Sequence, residues 1–254
     1  MTDTSSDDAT SDDNASDDTG QTPKPMIEFA RIDGDFAWSG EAALDRPAEA
    51  FRADLEAAVD AVRADGGGRV QLWLPAVDDA EDALVGELGF TPYRDLWQLR
   101  CPLPSRGTDT PTRPFEDADA EEFLEVNNAA FSWHPEQGGM TLDGLAERQA
   151  EPWYDPEGFL IHTRQGRIAG FNWTKEHPDA DPPMGEIYAI AVHPDFHGLG
   201  LGRGLTLAGL AHLHSKGFEV GMLYVESDNV AANRTYDGVG FRYHHANRAY
   251  ELTI

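Results

Sequence analysis

The sequence predicts an α/β fold of α+β character, in which helices pack against a mixed β-sheet. Short apolar runs alternate along the chain with longer segments whose apolar residues have helical spacing. The run Ile187–Val192 leads through a His-Pro break into a glycine-rich turn and a helix-like segment. Two distant stretches, Val70–Tyr93 and Leu223–Tyr243, repeat one order of strand, helix, Gly-Phe and strand. These observations indicate one complete unit that is preceded by a partial copy of it.

The first half has the pattern of alternating strands and helices. Met26–Ile32 has the composition of a strand, and after a polar stretch Arg46–Ala64 has helical apolar spacing that ends at three glycines. Val70–Leu74 predicts a second strand, and Asp78–Leu88 predicts an amphipathic helix that a glycine ends. Phe90–Leu99 then predicts one or two strands.

The second half contains more elements and includes a hairpin around a Gln-Gly turn. The predicted elements are a strand at Thr112–Phe115, a helix at Ala118–Phe131, a helix capped by Thr141, the hairpin strands Gly158–Thr163 and Arg167–Lys175, a strand at Gly185–Val192, a helix at Leu201–Lys216, a strand at Val220–Glu226, a helix at Asn229–Asp237 and a strand pair at Phe241–Thr253.

Composition divides the chain into four parts. Residues 1–25 contain seven Asp and almost nothing apolar, so this acidic tail cannot offset the entropy of ordering and is predicted to be disordered. Residues 26–104 form the partial unit, and the polar, Pro/Thr-rich residues 105–111 form a linker. Residues 112–254 form the complete unit, which is expected to carry the activity.

Charge and composition exclude several classes of partner. The net charge is −27, and the tail accounts for only six of these charges because Lys24 offsets one of its seven Asp. Nucleic acid and anionic membranes are therefore not expected as partners, whereas a cationic small molecule is favoured. The sequence has no apolar run long enough for a membrane span and no signal or transit peptide, so we expect a cytoplasmic protein. We also expect a monomer.

Cysteine and histidine give no basis for a metal or thiol centre. Cys101 is the only cysteine, which excludes an intramolecular disulfide, and no activating neighbour is evident for its thiol. His212 and His214 lie two residues apart on a predicted helix and do not share a face. His244 and His245 would point to opposite sides of a strand. We therefore predict no metal site.

The glycine-rich turn after Val192 has the properties of an anion site. Residues without Cβ allow backbone N–H groups to converge on a phosphate, and the following helix adds its positive N-terminal end. The turn contains no Gly-Lys-Ser/Thr, which excludes a P-loop, and its spacing does not match a dinucleotide fingerprint. It resembles the acyl-coenzyme A signature of the GCN5-related N-acetyltransferases, Gln/Arg-x-x-Gly-x-Gly/Ala, with His197, Gly200 and Gly202 at the signature positions.

Acetyl transfer from a thioester to an amine requires a base, an acid and an oxyanion donor. Glu186, at the start of the strand before the turn, could accept the proton of the amine, and Tyr236 could protonate the leaving thiolate. A free backbone N–H near Ile190–Val192 could polarise the thioester carbonyl. Each side chain also has a structural interpretation: Glu186 as a solvated strand-edge charge, and Tyr236 as a core or rim aromatic. Asn229, Asn233 and Arg234 line the start of the helix that carries Tyr236.

Several segments together resemble the mycothiol synthase family. They are HPEQGGMT (134–141), GFNWTKEHP (170–178), GEIYAIAVHP (185–194), GLGLGRGLTLAGLAHL (198–213) and LYVESDNVAANRTYDGVGF (223–241). The resemblance covers residues 112–254 and extends more weakly to Val70–Leu103. It implies an N-acetyltransferase fold and transfer of acetyl from acetyl-CoA to the cysteinyl amine of cysteinyl-glucosaminyl-inositol. Because no candidate nucleophile lies near the glycine-rich turn, we expect direct attack in a ternary complex, without an acyl-enzyme.

The resemblance also assigns expected roles. Glu186 matches the family's general base, and Tyr236 its general acid. Glu136, Lys175 and Tyr224 match positions that contact the sugar-inositol substrate, as does Glu186. The expected acetyl-CoA residues are Ile190, Ala191, Val192, His197, Gly198, Leu199, Gly200, Leu201, Gly202, Arg203, Asn229, Asn233 and Arg234.

Three departures from the family pattern keep alternatives open. Met140 stands where the family has Trp, His197 stands where it has Gln or Arg, and the first repeat is truncated. A substrate contact from the truncated repeat would be absent here. The chain could therefore act on another small amine or a protein N-terminus, or could bind acyl-CoA without catalysis.

Overall fold

The computed structural model of the protein describes residues 27–42, 47–132 and 138–254, so the predicted acidic tail lies outside the described residues. In these residues ten strands join one mixed sheet, and six α-helices pack on it. The strands are β1 (Ala30–Arg31), β2 (Trp38–Glu41), β3 (Arg69–Leu74), β4 (Thr91–Pro102), β5 (Arg113–Pro114), β6 (Phe159–Arg164), β7 (Arg167–His177), β8 (Met184–Val192), β9 (Val220–Glu226) and β10 (Arg242–Thr253). The helices are α1 (Ala48–Ala64), α2 (Asp79–Glu87), α3 (Ala120–Ala130), α4 (Leu142–Gln149), α5 (Leu201–Ser215) and α6 (Val230–Val239).

The two halves of the chain exchange their last strands. The sheet order is β1-β2-β3-β10-β4-β9-β8-β7-β6-β5. Strand β4 of the first half therefore lies between β10 and β9 of the second, and β10 lies between β3 and β4 of the first. All three of these pairings are antiparallel. The predicted boundary at residues 105–111 thus separates two parts of the sequence that share one continuous ladder of backbone hydrogen bonds.

The exchange reveals a longer internal repeat than the sequence indicates. The series β1, β2, α1, β3, α2, β4 has the same order as β7, β8, α5, β9, α6, β10, and both β2–β3 and β8–β9 are parallel. Gly89-Phe90 ends α2 as Gly240-Phe241 ends α6. The short strands β1 and β2 thus extend the partial copy beyond the repeated stretch Val70–Tyr93. The described part of the first half has no counterpart of α3, α4, β5 or β6.

The repeat also shows what the first half has lost. Asp78 caps α2 and Asn229 caps α6, and seven residues after each cap stand Val85 and Tyr236, respectively. In the register of the two parallel pairs, Ser39 of β2 occupies the position that Glu186 occupies in β8. The first half therefore has no counterpart of either predicted catalytic side chain.

Two hydrophobic clusters include side chains from both halves. Tyr250 of β10 is fully buried in the cluster under α1 and α2. In the other direction, Leu99, Cys101 and Leu103 pack with Leu210 of α5 and other residues of the second half. A third cluster, which is largely aromatic, lies under α3 and α4. Because burial of apolar area is the main stabilising term in folding, each half depends on the exchanged strand of the other for part of its core.

Most predicted elements are present, and strand pairing between distant parts of the chain explains the differences. Residues 90–99 were predicted as one or two strands, and the structure has the single long strand β4 (Thr91–Pro102) there. The predicted strand pair at the C-terminus is wrong, since Arg242–Thr253 is one strand with register shifts at Tyr243/His245 and Ala249/Tyr250. A strand that is paired on both edges stays extended through such bulges. Strand β2 lies in the stretch that was read only as polar, because its pairing partner β3 is distant in sequence.

We predict that a chain beginning at Ser105 does not fold cooperatively. Without β4, the whole edge of β9 from Val220 to Glu226 loses its antiparallel partner, and the cluster around Leu210 loses three buried side chains. Circular dichroism melting and size-exclusion chromatography should show an aggregated or non-cooperative species. A chain that lacks only residues 1–25 is the control and should melt as the full chain does. A cooperative transition in the chain from Ser105 would contradict this dependence.

Candidate active site

A cleft opens where β8 and β9 diverge. These parallel strands are paired only at Gly185–Gly221, Glu186–Met222 and Ile187–Leu223. Beyond Ile187, β8 continues in register with β7 alone, and β9 continues with β4 alone. The backbone of β8 that faces the cleft therefore has no strand partner on that side, which leaves N–H and C=O groups available to a ligand.

A β-bulge accompanies the divergence. The β7–β8 register slips by one residue between the pairs Trp173–Ala189 and Thr174–Ile187, which leaves Tyr188 as the extra residue of β8. A bulge bends the strand that contains it and increases its local twist. Tyr188 follows directly after the last β8–β9 pair. The bulge therefore coincides with the point at which β8 leaves its neighbour and the cleft begins.

The glycine-rich turn lies at the open end of this cleft. Gly198 and Gly200 have φ angles of +78° and +74°, in the left-handed region that favours glycine. Gly200 is the N-cap of α5 and provides no side-chain cap, so the first N–H groups of the helix have no side-chain acceptor from that position. The space that a Cβ would occupy at Gly198, Gly200 or Gly202 is open. This arrangement fits an anion that is held by backbone N–H groups.

His197 stabilises the glycine-rich turn through a hydrogen bond to the end of β8. Its Nε2 atom lies 3.0 Å from the Val192 carbonyl oxygen, so the ring N–H donates to the end of β8. The side chain is exposed. This contact gives a physical reason why histidine can stand where the acyl-CoA signature has Gln or Arg: all three can donate a hydrogen bond.

Two cavities lie in the cleft. The first, of about 520 Å³, lies between the glycine-rich turn and the start of α6. It brings together most residues that were predicted to contact acetyl-CoA, together with Phe131 and Thr206, which were not predicted. The predicted residues that line it are Ile190, Ala191, Val192, His197, Gly198, Gly200, Leu201, Gly202, Arg203 and Asn229.

Three predicted acetyl-CoA residues do not line this cavity. Leu199 is 52% exposed at the outside of the turn. Asn233 donates from Nδ2 to the carbonyl oxygens of Glu226 and Ser227, at 3.1 and 3.2 Å, and so holds the loop between β9 and α6. Arg234 is exposed on α6. Their predicted contact with acetyl-CoA stays a prediction, and for Asn233 the geometry indicates a structural role.

A second cavity, of about 320 Å³, continues from the first toward the sheet. Both cavities are lined by Ile190, Asn229 and Tyr236, so these residues form the passage between them. Glu186 and Tyr224 line the second cavity and not the first, and the same is true of Arg94 and Leu96 of the first half. One cavity therefore suits the acetyl donor and the other suits the acceptor, with Tyr236 between them.

Glu186 is buried and hydrogen-bonded. The residue is only 7% exposed, and its Oε2 atom lies 2.6 Å from Nε2 of His177. Lys175 is the direct cross-strand partner of Glu186, and His177 lies two residues further along the same strand, on the same face. The interpretation of Glu186 as a solvated surface charge is therefore wrong. His177 was not singled out from the sequence, since a histidine two residues beyond a lysine gives no local signal of a cross-strand contact.

Tyr236 is held as a neutral phenol. Burial raises the pKa of its hydroxyl to about 12, since the ionised form would be poorly solvated at the bottom of the cleft. Among the described residues its hydroxyl has no hydrogen-bond partner, although the side chain lines both cavities. Tyr236 also packs in the hydrophobic cluster of α5 and β9. The structural and functional interpretations of this residue are thus compatible.

The predicted substrate residues are placed differently. The Lys175 ammonium lies 4.9 Å from the ring centroid of Trp153 and 5.6 Å from that of Tyr188, so aromatic faces stabilise its charge. Tyr224 lies across the cleft on β9 and is 36% exposed. Glu136 falls in residues 133–137 and is outside the described residues. Among the residues that are described, no group of three or more His, Cys, Asp or Glu side chains is arranged to hold a metal ion.

The fold and the site define a class of protein: a sheet that diverges at a glycine-rich, helix-opening turn is the architecture of the acetyl-CoA-dependent acyltransferases. The profile of the acetyltransferase (GNAT) family matches residues 120–241. The mycothiol acetyltransferase of Nocardia farcinica is 41% identical over 233 residues, which are 85% of this chain and 75% of that protein. That of Rhodococcus jostii is 41% identical over 241 residues, which are 89% and 79% of the two chains. The chain belongs to the mycothiol acetyltransferase family, a branch of the GNAT acetyltransferases.

Solved structures agree with the fold. A GCN5-related N-acetyltransferase from Sphaerobacter thermophilus superposes with a TM-score of 0.67 at 18% identity, over 89% of this chain and 76% of that chain. A tandem GNAT protein from the clavulanic acid biosynthesis pathway superposes with a TM-score of 0.60 at 17% identity, over 84% and 75% of the two chains. The predicted fold class and the predicted family are thus confirmed. No helix among the described residues has the length and apolarity to cross a bilayer.

We predict that Gly200→Ala weakens acetyl-CoA binding. Alanine at a φ of +74° costs about 1–2 kcal/mol, so the turn should relax and its N–H groups should lose their alignment. Isothermal titration calorimetry should show a Kd for acetyl-CoA raised by about tenfold or more. Gly86→Ala is the matched control, since Gly86 lies within α2, has open space at its Cβ position and does not line either cavity. Equal affinities for the two variants would contradict the role of the turn.

Proposed function

We propose that the protein transfers the acetyl group of acetyl-CoA to the cysteinyl amine of desacetylmycothiol, which is cysteinyl-glucosaminyl-inositol. The observation that supports this most directly is the position of Tyr236 in the passage between two cavities, with the glycine-rich turn in one and Glu186 in the other. The relatives named mycothiol acetyltransferase support the choice of acceptor.

Glu186 acts as the general base in this proposal. The acceptor amine is protonated at neutral pH and must lose a proton before it can attack a thioester. A carboxylate that is buried at the end of the acceptor cavity can take this proton directly or through one water molecule. The ring of His177 contacts this carboxylate, with 2.6 Å between Nε2 and Oε2, and so fixes its orientation.

Tyr236 acts as the general acid. The thiolate of coenzyme A leaves as the amide forms, and the neutral phenol donates its proton to the sulfur. The free backbone of β8 around Ile190–Val192 supplies the N–H that polarises the thioester carbonyl. No nucleophilic side chain is required, and Cys101 is unsuited to such a role because burial raises the pKa of its thiol to about 12. The amine therefore attacks the thioester directly while both substrates are bound.

The remaining roles belong to the same proposal. Glu136, Lys175 and Tyr224 contact the sugar-inositol part of the acceptor, and Asn233 and Arg234 act near the acetyl-CoA site. The protein works as a cytoplasmic monomer on a small molecule, and its net charge of −27 disfavours nucleic acid as a partner. The alternatives are another small amine or a protein N-terminus as the acceptor, or acyl-CoA binding without catalysis.

We expect purified protein to form N-acetylated product from desacetylmycothiol and acetyl-CoA, as detected by mass spectrometry. Mass detection is needed because the acceptor carries a thiol of its own, which would interfere with thiol reagents. Glu186→Gln and Tyr236→Phe should each lower kcat by about 10²–10⁴, the usual contribution of acid–base catalysis. Acetyl-CoA binding should be retained in both variants. Turnover of peptides or other small amines, but not of desacetylmycothiol, would refute the proposed acceptor. Binding of acetyl-CoA without turnover of any amine would indicate a non-catalytic protein.

The pH profile of kcat gives a separate prediction. Since the pKa of Tyr236 is raised to about 12, its hydroxyl stays protonated below that pH and its ionisation is displaced to higher pH than that of an exposed tyrosine. The kcat of the wild-type protein should therefore show no basic decline from this residue between pH 8 and about 10. Stopped samples analysed by mass spectrometry at each pH provide the measurement, with Tyr236→Phe as the comparison. A decline centred below pH 10 that disappears in the variant would contradict the proposed acid.

A further inference from the structure

The first half of the chain contacts the acceptor cavity through a hydrogen-bonded row of side chains. Tyr224 lines that cavity from β9, and its hydroxyl oxygen lies 2.8 Å from Nε2 of Gln98 on β4. Gln98 is its direct cross-strand partner and is only 4% exposed. The Oε1 atom of Gln98 lies 2.6 Å from Nε of Arg100. The order Arg100, Gln98, Tyr224 therefore runs from the exchanged strand to the cavity wall.

The chemistry of Arg100 sets the direction of this row. A guanidinium group has hydrogen-bond donors and no acceptor, so it must face the amide oxygen of Gln98. The amide nitrogen of Gln98 then faces Tyr224 and donates to the phenol oxygen. A phenol has one proton, and this proton is not used toward Gln98. It is left for a partner on the cavity side.

We propose that Gln98 is a positioning residue that makes Tyr224 a hydrogen-bond donor to an oxygen atom of the acceptor. The acceptor group is a hydroxyl or carbonyl oxygen and not the reacting amine. The amine offers only donors while it is protonated, and once neutral it uses its one lone pair to attack the thioester. The inference rests on the proposed function for the identity of the acceptor. It assigns to the first half, which has no counterpart of Glu186 or Tyr236, a role in selecting what the second half acetylates.

Gln98→Glu tests this direction with a nearly isosteric change. The new carboxylate keeps an acceptor for Arg100 and has no proton to donate, so the Tyr224 hydroxyl must turn and donate to it. The proton is then withdrawn from the cavity. The KM for desacetylmycothiol should rise about tenfold to a hundredfold, as expected for a lost hydrogen bond and an unpaired acceptor. The KM for acetyl-CoA should stay within about twofold of the wild-type value.

Gln71→Glu is the matched control. Gln71 of β3 also donates from Nε2 to a tyrosine hydroxyl, that of Tyr93, and also accepts at Oε1, from Ser39. Neither Gln71 nor Tyr93 lines the acceptor cavity. This variant makes the same chemical change in the same sheet and should leave both KM values unchanged. Thermal melts of both variants report any loss of folding.

Two further variants separate positioning from structural support. In a Tyr224→Phe background, Gln98→Glu should raise the acceptor KM no further, since the proton that it redirects is absent. Gln98→Met, which neither donates nor accepts strongly, leaves the Tyr224 proton free and should raise the acceptor KM less than Gln98→Glu. If Gln98→Glu does not fold, Gln98→Met takes its place in the test. In that case, an acceptor KM that rises further when Gln98→Met is added to Tyr224→Phe would overturn the inference. Equal effects of the two substitutions, or additive effects with Tyr224→Phe, would overturn it as well.

Calorimetric binding of desacetylmycothiol in the presence of coenzyme A keeps this inference distinct from the proposed function. Binding that weakens in Gln98→Glu, without turnover by the wild-type protein, would support the row of side chains and refute the reaction. Turnover by the wild-type protein, together with an unchanged KM for desacetylmycothiol in Gln98→Glu, would support the reaction and refute the role of Gln98. Absence of both binding and turnover in the wild-type protein would refute both.

Discussion

The backbone ladder between the exchanged strands β4 and β10 is the constraint on which the rest of the structure depends. These two strands are paired to each other along most of their length, and each also pairs with a strand of the opposite half. The ladder joins the hydrophobic clusters of both halves and fixes the outer edge of β9. Because β9 is held by β4, it can leave β8 after only a few pairs without becoming an unsupported edge. The cleft exists because of this arrangement.

The cleft itself combines a backbone feature with a few side chains. Strand divergence and the bulge at Tyr188 open the sheet, and the turn at Gly198 and Gly200 directs N–H groups into the opening. Glu186 and Tyr236 are both buried, and burial holds the phenol of Tyr236 neutral. The local chemistry therefore follows from burial, and burial follows from the packing of α5 and α6 on the shared sheet.

The parts of the site that depend on local backbone conformation could be predicted from the sequence. Positive φ angles at Gly198 and Gly200 require glycine, and the cap at Asn229 requires a short polar side chain, so both leave a signature in the sequence. The exchange of strands leaves none, because antiparallel pairing between β3 and β10 joins residues that are far apart in the chain. The same limit applies to His177 and Gln98. Each meets its partner only across a strand pair. Both lie in segments that resemble the family, 170–178 and 70–103, but neither position carries a local signal of that cross-strand contact.

The strand exchange has a consequence for how such a protein can change over time. In a chain of two separate domains, a copy that has lost its own catalytic groups is free to decay or to be deleted. Here β4 is structurally part of the second half, so deletion of the first half would remove a wall of the working site. Yet substitutions on that wall, at Arg94 or Leu96, or at Gln98 behind it, leave the proposed catalytic pair of the second half untouched. Substitutions in the first half can therefore change the preference for the acceptor while the groups proposed for acetyl transfer are preserved.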